Sequence, residues 1–204
     1  VLAERNPDLW QLAQAVKDQS KMDAMLQIHR GKALEPIARQ YYEMRTGLTV
    51  TEVGFIGSND DTWGMSPDGI VIPDGGVLEL YDDGTYDIEA GISRGLECKA
   101  LWPQTHARLL LKYYGKNIVP ADYVWQCRMG MAVTECSEWD FLSYCPGQAP
   151  LFATAYRDAE TDLLVEGLNV LAQEREIIRG QLDAMWDDSF TGDNERLLRY
   201  PNGQ

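Results

Sequence analysis

At 204 residues and 23.0 kDa the chain has the length of one large domain. With 45% hydrophobic and 25% charged residues it falls in the globular range, which excludes a disordered or fibrous protein. The formal charge of −14 argues against a protein that coats nucleic acid through a basic surface. No apolar run approaches a membrane span, and residues 1–10 lack a basic-then-apolar signal pattern, so no membrane partner is expected. The chain begins at Val rather than Met, and a segment upstream is expected. Cysteines 98, 127, 136 and 145 are spaced for neither a zinc ribbon nor a disulfide scaffold, and read as reduced thiols of an intracellular protein.

The elements follow in chain order. Ser20 with Asp23 predicts a helix N-cap, and Met22, Met25, Leu26 and Ile28 recur at helical spacing through Ile37, Ala38, Tyr41 and Tyr42. Pro36 predicts a kink or the first turn of a second helix, and Gly47 a stop. From Thr49 the period changes. Residues 49–57, 63–72, 77–81, 85–90 and 95–100 read as strands, with Asp82-Asp83-Gly84 as a hairpin turn. Helices at 103–111 and 121–133 and strands at 139–144 and 151–156 come next. A helix over 159–186 carries Leu164, Leu168, Leu171, Ile178, Leu182 and Met185 as a stripe that reads first as core and second as a subunit contact. The expectation is one α/β domain, 1–186, with a central mixed sheet flanked by helices, a long C-terminal helix, and a loose acidic tail over 187–204.

Charge is unevenly spread. Residues 58–101 hold 2 basic and 10 acidic side chains, whereas 1–57 and 102–150 are each neutral. Two strings in the acidic block carry chemistry: Ser66-Pro67-Asp68-Gly69 and Gly95-Leu96-Glu97-Cys98-Lys99. On a strand, Glu97 and Lys99 share a face and Cys98 turns away. An acid from a neighbouring strand completes a pair able to hold a hard divalent cation through oxygen, and the lysine ammonium can hydrogen-bond a water or a phosphate oxygen. That is equipment for metal-assisted phosphodiester hydrolysis. Glu79 is a rival second acid nearer to Asp68, but Tyr81 stands where a lysine would be needed, so Glu97 is preferred. Trp125, Trp139 and Tyr144 read as core, and His106 as a candidate neighbour of the site. No Gly-rich phosphate loop is present in the sequence.

Glu35-Pro36-Ile37-Ala38-Arg39 through Tyr42-Glu43, Thr46-Gly47, the two strings above, and Tyr123-x-x-Gln126 occur in this order. Together they resemble the successive motifs of the lambda-exonuclease-like, YqaJ-type viral recombinase nucleases of the PD-(D/E)xK group. The resemblance implies a PD-(D/E)xK nuclease-like fold and a DNA exonuclease that digests one strand of a duplex from its 5′ end. It implies Mg²⁺, with Mn²⁺ as a substitute, held by Asp68, Glu97 and the Cys98 carbonyl. Lys99 would position or activate the attacking water, Glu35 would reach the metal site directly or through water, and Gln126 would help orient the nucleophile or Lys99. Arg30, Arg39 and Arg128 are the candidate DNA-binding residues. The resemblance further implies double-stranded DNA ends as partner, a ring-like homotrimer, a single-strand annealing protein, and the cytoplasm of a bacterial host carrying a phage or prophage. The alternatives are a restriction- or repair-type endonuclease and a catalytically inactive DNA-end-binding module.

Overall fold

A computed structural model describes residues 7–58, 62–74, 76, 78–80, 86–88 and 91–190. Residues 1–6, the turn Asp82-Asp83-Gly84 and the tail from 191 lie outside the described residues. The chain opens with α1 (Pro7–Thr46), followed by β1 (Ile56–Gly57), β2 (Gly64–Met65), β3 (Gly69–Val71), β4 (Leu78–Leu80), β5 (Tyr86–Ile88) and β6 (Arg94–Lys99). Then come α2 (Pro103–Tyr113), α3 (Ala121–Thr134), β7 (Glu138–Ser143), β8 (Leu151–Tyr156) and α4 (Ala159–Phe190).

The central sheet is mixed, in the order β3-β6-β7-β8. β6 pairs antiparallel with β3 and parallel with β7, and β7 pairs antiparallel with β8. Side-chain alternation divides β6 between two layers. Leu96 and Cys98 join Ala38, Tyr42, Val71 and Leu142 in the cluster under α1. On the other face Trp139 and Phe141 of β7 pack with Tyr113, Cys127 and Met131 of α2 and α3. Two glycines close that second layer. A Cβ on either Gly95 of β6 or Gly130 of α3 would overlap the Trp139 ring, so the missing side chains let α3 lie close on the sheet.

Several expectations are corrected. The first helix is continuous from Pro7, so Ser20 is inside it and not a cap. It also runs through Pro36. The proline forfeits one backbone bond, but Ala38 and Tyr42 in the next turn are fully buried against the sheet and hold the helix there. Of the strand expected over 49–57 only β1 and an isolated bridge from Thr51 to Ile70 form. The strand expected over 63–72 is split into β2 and β3, because Pro67 has no N–H to give a ladder. Among the described residues β4 and β5 pair only with each other, antiparallel, as a separate two-stranded sheet. α4 continues to Phe190, four residues into the expected tail. Most of its apolar stripe is not core: Leu164 and Leu168 are half-buried, whereas Leu171, Ile178, Leu182 and Met185 are exposed. No helix among the described residues is long and apolar enough to cross a membrane.

Candidate active site

Asp68 immediately precedes β3. Continuing the register Gly69↔Leu96 by one residue sets Asp68 opposite Glu97. The alternation that buries Leu96 and Cys98 under α1 turns Glu97 and Lys99 toward α3. Asp68, Glu97 and Lys99 accordingly line one cavity of about 440 Å³ together with Met65 and Ser66 of the β2–β3 segment and Trp125, Gln126 and Met129 of α3. Gln126 reaches the cavity because the Gly130–Trp139 contact, one turn further on, seats α3 on the sheet.

Hydrogen bonds fix the acids. The Cys98 backbone N–H donates to Asp68 Oδ2 at 2.7 Å, which joins the turn before β3 to the strand that carries the other acid. Arg39 of α1 donates to the Asp68 carbonyl at 3.1 Å and also binds Glu35 and, at 2.7 Å, Glu52. Lys99 Nζ pairs with Glu97 Oε1 and lies 5.7 Å from the centre of the Tyr123 ring.

The electrostatics are those of crowded acids. Burial, then the nearby Glu97, push the Asp68 carboxyl up to about 6, against the opposing pull of the Cys98 N–H. Burial works against the Lys99 ammonium, but Glu97 outweighs it and holds Lys99 above its ordinary value. The lysine is therefore a cation and a hydrogen-bond donor at neutral pH. Burial keeps the Cys98 thiol protonated, and all four cysteines are buried and unpaired.

Among the described residues no three His, Cys, Asp or Glu side chains gather into a complete metal cage. Two carboxylates with a neighbouring backbone carbonyl nevertheless form a donor set suited to Mg²⁺, which takes one or two protein carboxylates and fills its remaining positions with water and phosphate. Burial first and then the Glu97 charge raise Asp68, and a divalent ion would offset both.

The other residues singled out in the sequence are placed as follows. Glu35 is close enough to add to the field at Asp68, but its carboxylate is engaged by Arg39 and does not line the cavity. Glu79 sits on the separate β4–β5 sheet. Arg128 binds Asp158 and Glu160. Arg30 donates to the Leu101 carbonyl at 3.2 Å and lies over the Trp102 ring. His106 is fully buried and outside the cavity. Its Nε2 carries the proton that the Ala149 carbonyl accepts at 2.8 Å, so in the neutral ring Nδ1 accepts from the Ser143 hydroxyl.

Two features were not foreseen. Trp125, expected in the core, is 54% exposed at the cavity. A buried network also joins α1 to the sheet: Asp140 accepts from Tyr42 at 2.7 Å, from Arg94 at 2.9 Å and from Thr154 at 2.6 Å. The sequence signal for the first was the adjacency of Trp125 to Gln126. For the second it was an acid in the middle of an apolar strand.

A profile of the YqaJ-like viral recombinase domain matches residues 6–137. The chain belongs to that family. Among solved structures, the YqaJ-type chain is similar to an alkaline exonuclease (LHK-Exo) from Laribacter hongkongensis. Identity is 25% and the TM-score 0.54, covering 78% of this chain and 75% of that one. The structure of LHK-Exo in complex with dAMP matches to the same extent. No curated protein matches. The matched segment of the YqaJ-type chain spans α1 through the end of α3 and so contains Asp68, Glu97, Lys99 and Gln126.

Proposed function

We propose that this chain is a metal-dependent DNA exonuclease that hydrolyses one strand of duplex DNA from its 5′ end in the service of recombination. The observation that carries the reading is the convergence of Asp68, Glu97, Lys99 and Gln126 in one cavity of a chain belonging to the YqaJ-like family. Its structural likeness to an alkaline exonuclease supports exonuclease chemistry in particular.

In this reading Asp68, Glu97 and the Cys98 carbonyl hold Mg²⁺, for which Mn²⁺ can substitute. The ion, when bound, supplies positive charge to the scissile phosphate and lowers the pKa of the attacking water. Asp68 keeps one oxygen on the Cys98 N–H, which fixes its orientation and leaves the other for a ligand. Lys99, held charged by Glu97, donates a hydrogen bond to the water or to a phosphate oxygen, stabilising negative charge as it develops. The Gln126 amide accepts from the water and orients it for in-line attack. Glu35 acts at one remove: it orients Arg39, which in turn holds the Asp68 backbone. A ring-like trimer, an annealing partner and a bacterial host remain part of the proposal on family grounds alone.

The test is digestion of linear duplex labelled on one strand, alongside a covalently closed circle, with Mg²⁺ and with chelator. Stepwise loss from the 5′ end, absent on the circle and absent in chelator, is expected. Rapid cutting of the closed circle would replace the reading with an endonuclease.

A further inference from the structure

We propose that Trp125 is the platform on which a base next to the scissile phosphate stacks, a role that rests on the nuclease reading above. Trp125 and Gln126 are consecutive on α3 and line the same cavity as Asp68, Glu97 and Lys99. A phosphate at the acids and the lysine therefore brings a flanking nucleotide to the indole. The ring is one of the largest apolar surfaces in the chain, yet it is 54% exposed.

It is also held in place. The Arg128 guanidinium lies 4.8 Å from the ring centre. That guanidinium is itself pinned by Asp158, at 2.7 Å, and by Glu160 at the start of α4. Arg128 lies over the ring, and the part of the indole left exposed borders the cavity on one side and the apolar groove beside Leu164 and Leu168 of α4 on the other. The two carboxylates neutralise Arg128, so its work is to brace the indole rather than to bind a phosphate. A braced aromatic surface loses little freedom when a base lands on it. Every base offers a π face, so the contact tolerates any sequence, as an enzyme degrading DNA step by step requires.

The test compares wild type with Trp125→Ala and Trp125→Phe, on intact duplex and on duplexes abasic at each of the first few nucleotides of the digested strand. Steady-state KM and kcat are read with Mg²⁺, and binding of the same duplexes is read in chelator. Trp125→Ala should raise KM and Kd about 10-fold or more, with most of the loss in KM, and Trp125→Phe should recover most of it. One abasic position should weaken wild type by a similar factor and leave Trp125→Ala unchanged. Equal KM and Kd for wild type and Trp125→Ala would overturn the proposal. So would wild-type indifference to a missing base at every position, a readout that needs no variant to fold. A lower oligomeric mass for Trp125→Ala would assign the ring to a subunit contact and also overturn it. If wild type digests no DNA, the nuclease reading fails, whereas the binding arm in chelator still decides the stacking.

Discussion

The backbone N–H of Cys98 donates to the carboxylate of Asp68 at 2.7 Å, binding an acid outside the strand to the strand that carries Glu97 and Lys99. The two acids are 29 positions apart in sequence, and this bond, with the register that precedes it, brings them to one place. The same strand residue that would offer its carbonyl to a metal thus orients another ligand with its N–H.

Lys99→Ala and Asp68→Asn should each lower hydrolysis by about 100-fold or more, the usual consequence of removing a group that stabilises transition-state charge. Circular dichroism should remain that of the wild type, because neither side chain contributes to the two core clusters. Turnover at the wild-type rate in either variant would remove the residue from the site.

The raised Asp68 pKa has a consequence for stability. The native state binds this proton more tightly than the unfolded chain does, so Asp68 favours folding below its ordinary value of 3.8. That contribution is lost as the pH rises through about 6, where the native carboxyl ionises. In chelator at neutral pH, Asp68→Asn should therefore melt several degrees above wild type, with the gap closing as the pH falls below about 4. Added Mg²⁺ should raise the melting temperature of wild type and not of the variant. Thermal melts against pH check both statements.

Gly130→Ala places a methyl group in the Trp139 ring and forces α3 off the sheet. Overpacking of this kind costs about 1–3 kcal/mol. Because α3 carries Gln126, activity should fall beyond what the stability loss explains. A denaturant titration with a rate measurement under fully folded conditions separates the two effects.

Asp140 is fully buried and receives Tyr42, Arg94 and Thr154. Asp140→Ala leaves the Tyr42 phenol without its partner and the Arg94 guanidinium with Glu138 alone, a loss of about 3 kcal/mol. Tyr42→Phe, which removes one hydrogen bond and keeps the ring in place, should cost about 1–2 kcal/mol. Denaturant midpoints rank the two.

Glu79→Ala should leave the rate near that of wild type, because among the described residues β4 pairs with β5 and not with the central sheet. Activity lost in this variant with Glu97→Ala active would transfer the metal role to the acid nearer in sequence.

The sequence is most legible where local signals and tertiary structure agree. The strand expected over 151–156 is β8, and the helices expected from Pro103 and Ala121 begin there as α2 and α3. The Glu-x-Lys alternation correctly implied that Glu97 and Lys99 face one way, and the cavity gathers them with Asp68. Where long-range packing decides, the reading is weaker. Ser20 and Pro36 carry the marks of helix boundaries, but the packing of Ala38 and Tyr42 overrides Pro36, and the helix runs on through Ser20. Apolar periodicity on α4 signals an amphipathic helix without revealing whether its stripe meets this chain's own core; most of it does not. Residue type alone puts Trp125 in the interior, yet its position on α3 sets it at the cavity beside Gln126. Size and apolarity alone do not distinguish a packed tryptophan from an exposed one.

The most direct measurement is anomalous diffraction from a crystal of the wild-type protein soaked in Mn²⁺. A peak in coordinating distance of carboxylate oxygens from both Asp68 and Glu97, absent in an Asp68→Asn crystal, is the predicted result. Manganese bound elsewhere with both acids unligated, or a peak unchanged in the variant, would contradict the account.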